Sequence, residues 1–435
     1  MGMEYLYIYS AASEFIEDYY GEEYHEPWVS VTIETEEVNY NKKGRDRLLV
    51  TPLTFKTLVD GELSVQNSNG SYPRDFEYSL NGGEWTEFSL PKSSGKLLIT
   101  ALTAGDEISF RRDNDNFAGA RFVGDETLKI NICGNLMSMQ YGSGFSGQTE
   151  IRNLTKGEVF ANLFYGIGVV DATELLLPSM NLASKCYKGM FSGCTSLMYG
   201  PELPATGLST DCYSHMFYNC NNLREVPELP ATTLAGHCYE EMFNRCGRLT
   251  EIHELPAMEM TENCYHCMFQ YCSGLTVIPI NALPATTLAT SCYGAMFMNC
   301  TNITTAPALP ATTLTQSCYS GMFNGCTNLA TAPQLPATTL ANNCYQLMFR
   351  DCISLTAAPE LLAPQLIDYC YNEMFRGCRN LAYVKCTTIN WNYNSSVSNW
   401  LNGVSANGTF VKAAGVSWNS GTSGIPNGWT VIEEA

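Results

Sequence analysis

Cysteine and histidine are the residue types in this chain that could do chemistry. The sequence contains 19 cysteines and five histidines. Sixteen of the cysteines belong to one phrase, Cys-Tyr-x-x-Met-Phe-x-x-Cys, which occurs eight times, and only Cys133, Cys267 and Cys386 lie outside it. The phrases begin at Cys186, Cys212, Cys238, Cys264, Cys292, Cys318, Cys344 and Cys370. Whatever the cysteines do must therefore be explained by the phrase that repeats them.

The spacing of the cysteines argues against disulfide and zinc chemistry inside a unit. The two cysteines of a phrase are eight residues apart, which is about 12 Å along a helix. A disulfide needs Cα atoms within about 7 Å, so only bridges between neighbouring units stay open. Cys264 and Cys267 have zinc-ligand spacing, but no second pair accompanies them. We interpret the phrase cysteines as small buried hydrophobic residues with free thiols, and we expect no metal and no cofactor.

The histidines do not indicate catalysis. Four of them, His215, His237, His253 and His266, lie in the repeats, at positions where other units carry Ser, Glu, Gly, Gln or Asn. Such positions are typical of exposed residues, and no carboxylate pattern accompanies His215 and His237, which could approach each other. The chain also lacks a P-loop, a nucleophile elbow and a His-Glu-x-x-His motif. We therefore expect no catalytic residues and no enzymatic activity.

The phrases recur at steps of 26, 26, 26, 28, 26, 26 and 26 residues, and a fixed period in this range predicts a solenoid. Within a unit, Tyr213, Met216, Phe217 and Cys220 fall at i, i+3, i+4 and i+7, which predicts a helix of about two turns. An extended stretch and a Leu-Pro-Ala-Thr-Thr-Leu segment follow. A degenerate copy at residues 159–167 precedes the eight full ones. The predicted fold is an α/β solenoid of about nine 26-residue leucine-rich units, preceded by a small antiparallel β-sandwich.

Composition divides the chain into four parts. Residues 1–48 are acidic and aromatic, and we interpret them as an anchor segment that docks onto a partner or packs back onto its own domain. Residues 49–132 alternate polar and apolar side chains, with a hairpin signal at Asn81-Gly82, and predict the β-sandwich. The solenoid is expected at 133–390, with its degenerate N-terminal unit at about 159–185. Residues 391–435 predict a C-terminal β cap, or alternatively a separate tip module.

Charge and hydropathy narrow the function classes. The formal net charge of −19 argues against a nucleic-acid partner, because phosphate binding needs a basic surface. No apolar run is long enough to insert into a membrane. Residues 1–20 lack the basic start, apolar core and cleavage site of a secretion signal. We therefore expect a protein that is made in a cytosol and stays soluble.

The units from Cys326-Thr327-Asn328-Leu329 through Pro333 resemble BspA-type leucine-rich repeats, which occur in surface and adhesion proteins of gut and oral bacteria. The Leu-Pro-Ala-Thr-Thr-Leu segment, Leu53-Thr54-Phe55 and the Trp400–Val404 tail resemble a subtype of Bacteroidales and of phages that infect them. The family implies a binding role and supplies no catalytic residues.

Together with the lack of secretion-signal features in residues 1–20, this resemblance favours a phage virion appendage: a head fibre, tail fibre or decoration protein. In that hypothesis it is assembled in the bacterial cytosol, and the anchor segment attaches to another virion protein. The solenoid would bind a bacterial surface protein or polysaccharide, and a homo-oligomer is allowed. The alternatives are a bacterial surface adhesin, located at the cell surface, and a purely structural spacer.

The expected ligand-binding surface consists of exposed positions that vary from unit to unit. One set follows the conserved leucine of each unit, and the other lies between the conserved phenylalanine and the second cysteine. The first set contributes Tyr199, Arg224, Glu225, Glu251 and Tyr383, and the second contributes Tyr218, Arg245 and Tyr271. Stacking should align each set into a ladder about 40 Å long, at about 4.8 Å per unit. Tyrosine and arginine are favoured at binding hot spots, although variable positions can also be exposed and unselected.

Overall fold

The computed structural model describes residues 45–67, 74–90, 95–114, 119–390 and 395–434. Of the expected anchor segment at 1–48, all but the last four residues therefore lie outside the described residues. Residues 45–50 are helical. None of the helices in the described ranges combines the length and the apolar character that a bilayer crossing needs.

Eight strands precede the repeats. They are β1 (Leu53–Val59), β2 (Gly61–Asn67), β3 (Arg74–Leu80), β4 (Thr86–Leu90), β5 (Gly95–Leu102), β6 (Glu107–Arg111), β7 (Ala120–Gly124) and β8 (Lys129–Asn135). They form two sheets, of order β5-β2-β7 and β4-β3-β6-β1-β8-β9, where β9 is Val169–Leu176. Phe55 and Phe110 of the larger sheet contact Phe122 of the smaller one at ring-centroid distances of 4.9 and 4.7 Å. These rings hold the two sheets against each other.

The larger sheet differs from the expected antiparallel sandwich. Strands β8 and β9 pair in parallel, and β9 lies inside the degenerate first unit, just after its copy of the phrase at residues 159–167. The sheet therefore crosses the boundary expected at residue 132 and continues into the repeats. The hairpin at Asn81-Gly82 is found: β3 and β4 pair antiparallel, and both turn residues have positive φ, 50° and 70°. A type I′ turn needs this conformation at both central residues.

The predicted helix in each unit is wrong, and so is the α part of the expected α/β solenoid. No residue of 159–390 is helical. Instead the phrase forms a chain of overlapping turns, the turn segment. Every second backbone N–H donates to the carbonyl three residues earlier, as from Met216 to Tyr213 at 3.1 Å. The N–H groups between them donate to carbonyls of the next unit, as from Phe217 to Met242 at 2.9 Å. Every fourth residue has positive φ, for example 58° at His215 and 60° at Asn219.

This turn segment satisfies the same burial pattern in a different way. Buried residues fall at i, i+1, i+4, i+5 and i+8, from Cys212 and Tyr213 to Cys220. A two-turn helix would leave most of its backbone groups unpaired. In the turn segment, alternate N–H groups find carbonyls in the neighbouring unit, so the stack itself supplies the hydrogen bonds. A helix buries residues three and four positions apart, and the turn segment buries residues four and five positions apart. The helix prediction failed because these two patterns select nearly the same residues over a stretch of nine.

The buried side chains form continuous columns. The tyrosines from Tyr187 to Tyr371 stack at centroid distances of 5.7 to 6.1 Å. The phenylalanines from Phe191 to Phe375 stack at 5.4 to 5.9 Å. The second cysteine of each unit donates its S–H to the phenylalanine carbonyl of the preceding unit, as from Cys220 to Phe191 at 3.1 Å. Packing and hydrogen bonding thus run along the stack.

The units pair by isolated parallel bridges on the side opposite the turn segments, for example Glu251 with Val277 and Thr305 with Thr331. At the C-terminal end three parallel strands follow: β10 (Tyr383–Cys386), β11 (Thr409–Ala413) and β12 (Thr430–Glu434). Residues 395–402 add a further turn segment before β11, because Tyr371 and Phe375 donate to the carbonyls of Ser396 and Trp400 at 2.9 and 3.0 Å. The C-terminal part therefore extends the stack with turns as well as with strands.

Candidate binding surface

The first predicted set, the strand-side row, consists of the two positions after the conserved leucine of each unit. Parallel bridges align it: Asp171 pairs with Tyr199, and Ala357 pairs with Tyr383. The guanidinium carbon of Arg224 lies 6.0 Å from the centre of the Tyr199 ring, a distance that allows a weak cation–π contact. The structure thus brings two of the predicted residues together across neighbouring units.

A cleft opens beside this pair, between the units that begin the row. It has a volume of about 310 Å³ and is lined by Tyr199, Glu202, Glu225, Glu228 and several prolines. Its floor is apolar and its rim carries three carboxylates. Glu225, one of the predicted residues, therefore shares this cleft with Tyr199.

The same repeat positions form a second cleft further along the row. It has a volume of about 490 Å³ and is lined by Ile280, Pro307, Leu309, Pro333, Gln334 and further threonine, alanine and proline residues, without a carboxylate among them. Prolines line both clefts, as at Pro201 and Pro227 in the first and Pro307 and Pro333 in the second. Their recurrence at a fixed position was the signal that could have indicated a groove.

Glu251 and Tyr383 are exposed members of the row but lie outside both clefts. Tyr383 begins β10, at the far end from Tyr199. The five predicted residues of the row share one face and do not converge on one site.

The second predicted set, the turn-side row, lies on the turn segments. Arg245 and Tyr271 occupy equivalent positions in successive units, and the Arg245 guanidinium carbon is 4.6 Å from the Tyr271 ring centre. Both residues have positive φ, 66° and 62°, at a position that is glycine in other units, such as Gly193 and Gly325. Asn219, Asn299 and Asp351 have positive φ at the same position, so the turn segment imposes this conformation whichever side chain is present.

Tyr218 lies one position earlier in its unit and packs against His215, with ring centroids 5.7 Å apart. Its side chain is half-buried. Tyr218 therefore contacts a histidine of its own unit, whereas Arg245 and Tyr271 contact each other across two units.

Carboxylates accompany the histidines, contrary to expectation. Glu240 lies 3.0 Å from Nδ1 of His237 and 3.5 Å from Nδ1 of His266, and Glu241 lies 3.6 Å from Nε2 of His215. Burial by itself would raise the pKa of Glu240, but its hydrogen bonds with His266 and His237 outweigh burial and lower that pKa. Two of these three pairs join residues 26 positions apart, so they become visible only when the units are stacked.

Among the described residues, the acidic and histidine side chains do not form a metal centre. Within the part of the chain that the structure describes, no group of three or more His, Cys, Asp or Glu side chains is arranged to hold a metal ion. The histidine–carboxylate contacts link neighbouring turn segments at their surface.

The thiols are unsuited to nucleophilic chemistry. All 19 cysteines are free and buried. Burial raises the pKa of Cys194 to about 12 and that of Cys264 to about 11. Because the thiolate is the reactive form, these side chains act as packing groups at neutral pH.

The comparison with protein families identifies the repeats. The model of the BspA type leucine rich repeat region matches residues 187–320 and 290–399, with six copies. Residues 187–399 are thus similar to a BspA-type leucine-rich repeat region. Repeats of this type suggest a role in surface adhesion or protein binding. No curated protein matches the chain, and the expected Bacteroidales and phage subtype stays a prediction.

The BspA-type match covers every full phrase, from Tyr187 onward, and both predicted rows. It ends at residue 399, inside the additional turn segment before β11. The predicted binding residues thus lie in the part of the chain that the family model matches.

Proposed function

We propose that this protein is a non-enzymatic adhesion protein whose BspA-type repeats form a solenoid that binds a bacterial surface protein or polysaccharide. One observation carries the proposal: the buried side chains of the units are nearly identical, while the exposed side chains of the two rows differ. Tyr187, Tyr213 and Tyr239 are all buried, whereas the strand-side positions carry Tyr199, Glu225 and other types. A constant scaffold with variable exposed residues supports recognition rather than catalysis.

The strand-side row is the better candidate for the contact. It places an aromatic ring and three carboxylates around a concave cleft, with Arg224 beside that ring, and concave surfaces bury a ligand better than flat ones. Tyrosine and arginine side chains also dominate the binding energy of many interfaces.

The test is the binding of fluorescently labelled full-length protein to intact Bacteroidales cells and to their purified surface polysaccharides. Saturable binding is expected, and the double variant Tyr199→Ala/Arg224→Ala should lose most of it. The variant Tyr271→Ala/Arg245→Ala removes the same residue types from the turn-side row and serves as the matched control. Binding that is unchanged in both variants, or in a protein that lacks the repeats, would favour the spacer alternative.

The virion location is a narrower proposal, supported by the resemblance. An antibody raised against the repeats should label phage particles in electron micrographs if the protein is a virion appendage. Labelling of bacterial cell surfaces alone would favour the adhesin alternative. The attachment role of residues 1–48 stays a prediction that the same particles can test after that segment is deleted.

A further inference from the structure

A polar cleft lies where β7 meets the first repeat units, outside both rows. It has a volume of about 370 Å³, and its charged lining residues are Arg121, Lys185, Lys188 and Glu158. The chain as a whole has 24 Lys and Arg against 43 Asp and Glu. With three cationic side chains and one carboxylate, this cleft is positively charged in a protein that is negatively charged as a whole.

Arg121 is held in a fixed orientation by neutral groups. Its Nε and Nη2 atoms donate to Oε1 of Gln66 at 2.9 and 2.7 Å, and its guanidinium carbon lies 4.8 Å from the centre of the Tyr165 ring. Among the described residues, no carboxylate lies within 4.0 Å of it. An arginine has five N–H donors, so this one keeps three donors and a full charge for a ligand.

The two lysines add charge to the same cleft. Nζ of Lys188 lies 2.8 Å from Asp211, and Nζ of Lys185 lies 3.6 Å from Glu158. The Lys185–Glu158 pair is largely exposed to solvent, and such pairs contribute little energy. Each ammonium group has three donors and can therefore bind a further acceptor.

The position of the cleft is rigid. The N–H of Phe122, which follows Arg121 in β7, donates to the carbonyl of Leu163 at 2.9 Å, and the N–H of Asn162 donates to the carbonyl of Lys188 at 2.8 Å. These bonds fasten β7 to the first repeat unit and that unit to the next. These bonds fix the backbone on both sides of the cleft, and the contacts with Gln66 and Tyr165 hold the Arg121 guanidinium in place before any ligand arrives, which lowers the entropic cost of binding.

We propose that this cleft binds an anionic sugar, with the carboxylate or phosphate group on Arg121 and the two lysines. A guanidinium presents parallel N–H donors that match the oxygens of a carboxylate or phosphate. The side chains of Asn162 and Glu158 offer an amide and an acceptor to the hydroxyl groups of the ring. A volume of about 370 Å³ is at the small end of ligand pockets and suits one sugar unit.

Isothermal titration calorimetry on the full-length protein tests this site. The probes are glucuronate, glucose 6-phosphate and inorganic phosphate, with neutral glucose as the matched probe. Saturable binding of glucuronate or glucose 6-phosphate is expected, with no binding of glucose and with an affinity that falls at high ionic strength. The two charged sugars distinguish a carboxylate site from a phosphate site, and inorganic phosphate shows whether the anion alone is sufficient.

Arg121→Gln should weaken binding by at least about tenfold, because it removes a charge-assisted hydrogen bond. Arg248→Gln makes the same change at an exposed arginine and should leave the affinity unchanged. Lys188→Gln provides a second variant, and circular dichroism checks the folding of each.

Equal binding of glucose and glucuronate, equal affinity in Arg121→Gln and Arg248→Gln, or the absence of binding by every probe would each overturn the proposal. The site is separate from the strand-side row, so labelled Arg121→Gln protein should still bind cells. Failure of the anionic-sugar site therefore leaves the proposed adhesion function intact, and failure of the adhesion function leaves the anionic-sugar site intact.

Discussion

In the folded protein, the cysteines should be almost inert toward a thiol reagent at pH 8. The side chains of the phrase cysteines are completely buried, and the most exposed of the other three, Cys267, is only 7% accessible. Burial raises the pKa of Cys194, Cys272 and Cys326 from 9.0 to about 12. A shift of three units lowers the thiolate fraction at pH 8 from about 10% to about 0.01%, a reduction of about 1000-fold in rate before access is considered.

The assay compares native and denatured protein without a reducing agent. Reaction with an aromatic disulfide reagent is followed by absorbance, and the modified cysteines are counted by mass. Denatured protein should give close to nineteen modified thiols within minutes. Native protein should react at least about 1000-fold more slowly, with Cys267 and Cys133, the two that are not completely enclosed, among the first.

Two results would refute this reasoning. Three or fewer modified cysteines in denatured protein would mean that neighbouring units are joined by disulfides. Fast labelling of many cysteines in native protein would mean that the stacked columns open readily and that the buried ladder does not describe the molecule in solution.

Three other perturbations follow from the same columns. The thiols have folded pKa values above the unfolded value of 9.0, so their contribution to stability should be constant below pH 9. It should fall by up to about 1.4 kcal/mol per thiol per pH unit as pH rises from 9 toward 12, and an unchanged melting temperature at pH 10.5 would contradict this. Phe243→Ala should lower the free energy of unfolding by about 3–5 kcal/mol in chemical denaturation, because its ring is fully buried. Tyr271→Ala removes an exposed ring and should lower it far less. Equal losses in the two variants would argue against the phenylalanine column. Gly321→Ala should cost about 1–2 kcal/mol for its positive φ alone. Gly325→Ala should cost more, since its Cβ would also clash with Oδ1 of Asn299, and thermal melts of the two variants rank them.

Much of the stack can be predicted from the sequence. The 26-residue period predicts the repeats, and the recurring Cys, Tyr, Met and Phe predict which side chains are buried, because a position that never varies between units must face the constant interior. Val159 and Ile167, which replace the two cysteines in the first unit, also indicate that the position requires an apolar group.

The conformation of the turn segment could not be predicted in this way. Over nine residues, a helix and a chain of turns bury nearly the same positions. The difference lies in where the backbone N–H groups bond, and half of these bonds reach carbonyls 25 residues away, as from Tyr213 to Cys238. No local pattern of hydrophobicity contains that information.

Residue type and period alone therefore predict which residues face inward and which face outward. Which outward residues meet depends on how the units stack. The Arg245–Tyr271 pair, the contact of Glu240 with His266 and the convergence of Arg121 with Lys188 all join residues about one period or more apart. Contacts of this kind depend on the register between units and between the sheets and the first unit, and that register is set by backbone hydrogen bonds rather than by the side chains that it brings together.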